Sequence, residues 1–372
     1  MKESSPQDKL PATFPPKMIG IALRPDQLAL IERVITNLRG VIHAPTGSGK
    51  TALATGVIKC FPGAKTLFLC HTKTLIDQTA SMFREQGLDV SLVVEGKMNL
   101  SGEVVVATHQ SFCKIKDKTL PFQIVIVDEC HHLSNPSVTY AEILSKLLSP
   151  IRIGLTATVP SSLESILTME GFLGPVVGEL TVEEGIDLGI LAAPRIQLMR
   201  VPKDHEASDL RRYSDIYDCC VVENGARNRL ITRIARGLVK SGRSVLILVT
   251  KIEHGKRLLE TGAMLGLEME FIQGATERDA RIRLQSALQN KRIKCVVSTA
   301  VWREGVNIPS LDCVINACGG KSEIMTLQAI GRGLRTTEGK RDVLIVDFLD
   351  PHRYLAEHAI QRISLYVENG WL

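Results

Sequence analysis

"GVIHAPTGSGKTALATGVIKCF", Gly40 to Phe61, decides how the rest of the chain is read. It begins as a short β-branched run, turns through glycines, and continues with a helix-like pattern. A strand that passes through Gly-Ser-Gly-Lys-Thr into a helix has the spacing of a phosphate-binding loop, with Ala44 in place of the first glycine. In such a loop the backbone N–H groups of Thr46, Gly47, Ser48 and Gly49 wrap phosphates, and the helix N-terminus adds a favourable dipole. Lys50 would reach the β and γ phosphates of ATP, and the Thr51 hydroxyl would ligate Mg²⁺. The bland alternative is a chance Gly-Lys-Thr at a helix start, against which the strand–loop–helix context argues.

Outward from that loop the chain alternates apolar runs with helical patterns. "TLFLC" (66–70), "EVVVAT" (103–108), "QIVIV" (123–127) and "RIGLTA" (152–157) join "GVIHA" as buried strands. "TLIDQTASMFREQ" and "TYAEILSKLL" supply helices among them. Continuous apolar strands with helical crossovers predict a mainly parallel sheet covered on both faces. The pattern repeats in "SVLILVT", "EMEFIQ", "KCVVST", "DCVINA" and "DVLIVDF", with "RDARIRLQSALQN" and "EIMTLQAIGRGLR" as helices. Two α/β domains follow, joined near "DLGILAAPRIQ", where Gly189 and Pro194 punctuate the chain. The expected bounds are a polar, proline-rich tail over 1–18, a first domain over 19–190 and a second over 191–372.

A phosphate loop needs an acidic partner at the end of a neighbouring strand. "QIVIVDECHHL" supplies Asp128, to hold Mg²⁺ through water, and Glu129, to take a proton from an attacking water. Cys130, His131 and His132 follow at once. A zinc site would need further ligands at suitable spacing, and none is apparent nearby. A Cys/His nucleophile pair is compatible with the spacing but leaves the phosphate loop unexplained. In the second domain "QAIGRGLR" sets Gln328, Arg332 and Arg335 three and four apart on one helix face. A solvated basic face would look the same; beside a phosphate loop, the amide and guanidiniums suit a triphosphate.

The 372 residues leave room for about two domains of ordinary size. At 44% hydrophobic and 23% charged, with no apolar run long enough to span a bilayer, the composition is that of a soluble globular protein. The start has neither the apolar core of a signal peptide nor a transit pattern, so the expected location is cytoplasmic. A net charge of +5 permits a polyanionic partner without requiring one. Nine cysteines without a CxxC pair read as buried reduced thiols. Aromatic residues make up only 4%, too few for a surface of many base-stacking platforms.

Taken in order, these motifs resemble those of the superfamily 2 helicases and translocases, from "LRPDQ" at Leu23 to "GRGLR" at Arg335. "APTGSGKT", "DECH", "TAT" (156–158), "STAVWREGVNIPSLD" and "QAIGRGLR" are similar to motifs I, II, III, V and VI. "TLFLCHTKTLIDQ" and "VVVATHQSF" are similar to motifs Ia and Ib. "DECHH", "RIGLTAT" and "LRPDQ" are most similar to the XPB, UvsW and type III restriction-translocase group. His71 stands where motif Ia usually has proline, and Asn307 where motif V often has aspartate.

The resemblance implies two tandem RecA-like domains with an ATP cleft between them, and ATP with Mg²⁺ as cofactors. It implies adenine recognition by Gln27 with Arg24 nearby, and completion of the ATP pocket by Gly305, Asn307, Gln328, Arg332 and Arg335. It gives Thr72, Thr108 and Thr299 to the nucleic-acid backbone, and His131, Thr156 and Thr158 to coupling. Duplex, forked or branched DNA is the expected partner. The alternatives are an RNA helicase or RNA sensor, and a nucleotide-gated clamp that does not unwind. A monomeric motor core without appended domains is expected, with an accessory protein as an open partner. For His132 the expectation is a structural hydrogen bond.

Overall fold

The computed structural model describes residues 11–71, 73–95, 97–115, 121–134, 140–160, 162–202, 210–299, 311–320 and 342–372. It divides into two compact units, Met1–Thr181 and Val182–Leu372.

In the first unit eight strands form one sheet: β1 Arg39–His43, β2 Thr66–Cys70, β3 Val90–Val94, β4 Lys97–Met98, β5 Val104–Thr108, β6 Ile124–Asp128, β7 Ile151–Thr156 and β8 Val176–Glu179. Their spatial order is β4-β3-β5-β2-β6-β7-β1-β8. Every pairing is parallel except that of β3 with β4. Every residue of β2 and β5 is buried, because helices cover both faces. Alternate residues feed two cores: Phe68, Val104, Val106 and Ile126 face one, while Leu67, Leu69, Val105 and Val127 face the other.

Register decides where the chemistry gathers. Thr108 lies level with Cys70 across β5 and β2, Leu69 with Val127 across β2 and β6, Asp128 with Leu155 across β6 and β7, and His43 with Thr156 across β1 and β7. Parallel strands in such register end along one edge, so the loops after β5, β2, β6, β7 and β1 leave the sheet side by side. In open α/β sheets that edge is where ligands bind.

The second unit has β9 Ala193–Arg200, β10 Val245–Leu248, β11 Glu270–Ile272, β12 Cys295–Ser298, β13 Cys313–Asn316 and β14 Asp342–Leu349. All pair in parallel, in the order β11-β12-β10-β13-β14-β9. The stretch expected to join the domains contains the start of β9, which pairs with β14 over eight residues. Pro194 fits there because β9 is an edge strand, where a missing N–H is tolerated. Among the described residues no helix is long and apolar enough to cross a membrane.

Candidate nucleotide site and its edge

The loop after β1 is shaped by two glycines in left-handed conformations, Gly47 at φ 96° and Gly49 at φ 92°. A Cβ on Gly49 would stand 2.6 Å from Gln27 Nε2, so both backbone and space demand glycine there. Helix Lys50–Cys60 starts directly from Gly49. Lys50 Nζ donates to the Ala44 carbonyl at 3.1 Å, which folds the ammonium back over the loop. The Ser48 carbonyl accepts from Arg24 Nη2 at 2.8 Å and from Gln27 Nε2 at 3.2 Å. Gln27 Oε1 in turn accepts from the Arg24 backbone N–H at 3.1 Å, and Asp26 holds the guanidinium through two hydrogen bonds of 3.0 and 2.8 Å. Gln27 and Arg24 thus brace the phosphate loop itself. The Ser48 hydroxyl is buried without a protein hydrogen-bond partner.

Asp128 ends β6, and burial first, then the neighbouring Glu129, pushes its pKa up to about 7, against the pull of Lys50. Its Oδ1 accepts from the Glu129 backbone N–H at 3.1 Å. Glu129 adopts φ 50°, a left-handed conformation that costs a non-glycine residue energy and turns the chain sharply out of the strand. Glu129 Oε2 is buried without a protein hydrogen-bond partner. It lies 3.5 Å from His131 Nδ1, beyond hydrogen-bonding geometry. A hard divalent cation takes oxygen donors, and the Asp128 carboxylate beside the Thr51 loop suits one.

The three residues after Glu129 part company. Cys130 is fully buried, its Sγ against Met169 Sδ at 3.8 Å, and burial raises its thiol well above the ordinary range, so it packs. His131 Nδ1 lies 3.0 Å from Thr156 Oγ1. The Thr156 hydroxyl donates its single hydrogen to the Thr158 carbonyl at 2.7 Å, so it must accept from His131. Burial lowers the His131 pKa, leaving a neutral ring with the proton on Nδ1. The Thr158 backbone N–H also donates to Thr156 Oγ1, at 3.1 Å, and closes the group.

His132 turns the other way. Its Nε2 is buried without a protein partner, and its ring stacks on His71 with centroids 3.7 Å apart at 13°. His71 stacks in turn on His109 at 5.3 Å and 18°, and His109 meets Tyr140 at 4.4 Å. His131 and His132 stand 4.1 Å apart.

The residues assigned to nucleic acid fare differently. Thr108 is fully buried and its hydroxyl caps the short helix His109–Phe112, accepting from the Ser111 N–H at 3.2 Å. The same hydroxyl donates to Ser111 Oγ at 2.9 Å, so it is engaged within the turn. Thr299 is 6% exposed, with its N–H on the Ile272 carbonyl. Thr72, Gly305, Asn307, Gln328, Arg332 and Arg335 lie outside the described residues.

In the second unit, two buried arginines hold the ends of β13 and β14. Arg227 donates to both Asp350 oxygens, at 2.8 and 3.2 Å, and to the Ala317 carbonyl at 3.1 Å. Arg362 donates to both Asp347 oxygens, at 2.7 and 3.0 Å, and to the Gly320 carbonyl at 2.7 Å. Tyr366 and Tyr217 complete the set by donating to Asp347 and to the Cys318 carbonyl. These carbonyls directly precede residues 321–341, which carry "QAIGRGLR".

Residues 20–161 match the family model described as type III restriction enzyme, res subunit, and residues 226–337 match that of the helicase conserved C-terminal domain. Protein D10 of Escherichia phage T5, named as a helicase, is 27% identical over 93% of this chain and 75% of its own length. The ATP-dependent DNA helicase UvsW of Enterobacteria phage T4 is 24% identical over 90% of this chain and 73% of its own. Among solved structures, the ATP-dependent type ISP restriction-modification enzyme LlaBIII bound to DNA superposes with a TM-score of 0.74 at 17% identity, over 93% of this chain and 30% of that one. The chain spans between 55% and 75% of the length of the first curated relatives it matches.

Proposed function

We propose that this chain, which belongs to the superfamily 2 helicases and carries their two tandem RecA-like domains, is an ATP-driven motor on duplex or branched DNA. As an ATP-hydrolysing helicase it needs a triphosphate cradle, a base and a link from the base to the rest of the sheet. The observation that carries the reading is that the Gly47–Lys50 loop, Asp128–Glu129 and the His131–Thr156 bond leave one sheet edge side by side.

Thr46 to Gly49 would wrap the phosphates, and Lys50 would leave the Ala44 carbonyl for the β and γ phosphates. Glu129 would orient and deprotonate the attacking water; its Oε2 has no protein partner competing for that role. Thr51 and Asp128 would hold Mg²⁺, which when bound neutralises charge on the β and γ oxygens. His131, with its proton fixed on Nδ1, would report the state of Glu129 to Thr156 and Thr158. Gln27 and Arg24 would meet the adenine through the loop they brace. Gly305, Asn307, Gln328, Arg332 and Arg335 are assigned to the triphosphate by motif alone. The exits bearing Thr72, Thr108 and Thr299 would follow a nucleic-acid backbone without reading bases.

DNA is favoured over RNA because UvsW is named a DNA helicase and this chain spans most of it. Fork or junction remodelling, with roles in repair and recombination, is the proposed use. The test is ATP turnover with single-stranded, duplex and forked DNA and with RNA, at two salt concentrations. DNA should stimulate, most strongly as forks, and the effect should weaken steeply with salt. Stimulation by RNA alone overturns the DNA assignment.

A further inference from the structure

The row of rings His131, His132, His71 and His109 follows the strand order β6-β2-β5, and beyond it Thr156 sits at the end of β7. Each histidine stands within four residues after the end of its strand. The row crosses the working edge of the sheet, from the nucleotide side to the exits of β2 and β5, and closes against buried Tyr140.

Its chemistry is unusual for a buried polar cluster. His132 Nε2, His71 Nδ1 and His109 Nδ1 are all buried without protein hydrogen-bond partners. An unmet buried polar atom is costly, so a purely structural role would be served better by phenyl rings or by satisfied bonds. Burial first, then the neighbouring imidazoles, pushes His132 down to about 3, and burial also lowers His109. His132, His71 and His109 stack one on the next, and because packed interiors do not compress, a displacement of one ring displaces its neighbour.

We propose that His132, His71 and His109 are positioning residues that form a contact relay, carrying the state of the nucleotide pocket from His131 to the chain exits of β2 and β5. The input end is the Glu129–His131–Thr156 group, which responds to what occupies the loop. The output end is the turn after Thr108, whose capping hydroxyl sets the start of the short helix containing His109. That these exits meet nucleic acid rests on the proposed function; that they answer to nucleotide does not.

The experiment therefore reads the histidines themselves. The full chain, labelled with ¹⁵N in its imidazoles, is titrated with Mg²⁺ and a non-hydrolysable ATP analogue while ring resonances are followed. All four should move in the wild type. In His71→Ala, His131 and His132 should still move, and the shift at His109 should fall to under about half, returning in His71→Phe, which restores the ring. A His109 that responds fully in His71→Ala, or not at all in the wild type, overturns the relay.

If His71→Ala does not fold, His71→Asn serves in a second measurement, the ratio of nucleic-acid-stimulated to unstimulated ATP turnover. That ratio should fall about tenfold, in the range of known coupling energies, with nucleic-acid affinity without nucleotide inside about threefold of wild type. An unchanged ratio, or an affinity loss that accounts for it, overturns the relay. A wild type that nucleic acid does not stimulate breaks the motor reading instead, and the resonance experiment still decides the relay.

Discussion

At the strand exits of the first unit, side chains meet as imidazole rings in contact; at those of the second they meet as paired charges. His132, His71 and His109 stack, His131 meets His132 at a 40° tilt, and the three stacked rings each bury a nitrogen with no protein partner. Arg227 and Arg362 each hold an aspartate with two hydrogen bonds and fasten carbonyls of the chain that leads to residue 321. Both regions are buried polar clusters at the end of parallel strands. The first is built mainly of ring contacts, and the second of charged hydrogen bonds that must break to move. The proposed motor would use both: an edge that answers to nucleotide, and a firm mount for the chain that leads to residue 321.

The comparison can be broken most completely at the nucleotide end. Lys50→Ala should abolish turnover and weaken nucleotide binding, and Glu129→Gln should lower turnover by about 10²–10⁴-fold while nucleotide still binds. Equilibrium binding with single-turnover hydrolysis checks both; normal turnover in either variant removes that residue from the mechanism. Next in size is the contrast in stability. Arg362→Ala strands a buried carboxylate and should cost about 3–5 kcal/mol in urea unfolding, with its main loss in the second unit. His132→Ala removes one half-buried stacked ring, strands no charge and should cost less than Arg362→Ala. Equal costs would mean the row is as structural as the clamps.

A separate effect, read as a change with pH, concerns Asp128. Its pKa is raised in the folded chain from 3.8 to about 7, so the folded state keeps a proton that the unfolded state releases as pH rises between those values. Its contribution to stability is greatest below about pH 4 and is lost as pH rises through about 7. In metal-free buffer with chelator, Asp128→Asn should therefore melt progressively higher than wild type as pH goes from 5 to 8, even though its ATP turnover is lost. A melting difference that does not change with pH would contradict the buried, proton-holding carboxylate.

Much of the fold could be read before the structure because its strands are buried on both faces. "TLFLC" is the full extent of β2, and "DVLIVDF" falls one residue short of β14. Where a strand is half exposed the signal fails: β9 alternates in burial and contains Pro194, and β8 is a short strand at the sheet edge. The phosphate loop was legible because its chemistry is local to eight residues. The imidazole row was not, because only the register of β5, β2 and β6 brings its members together. A faint sign existed, since "LFLCH", "VVATH" and "VIVDECHH" each run from an apolar strand to histidine. That Thr108 caps the next turn was not legible either, because it depends on the conformation of the chain up to Ser111.

The most direct test of the central claim, that nucleotide chemistry at this edge drives movement, is displacement of a third strand from a DNA triplex. With ATP and Mg²⁺ the wild-type chain should release the third strand, and Lys50→Ala should not. Nucleotide-dependent DNA binding by the wild type without any release would contradict a motor and leave a clamp.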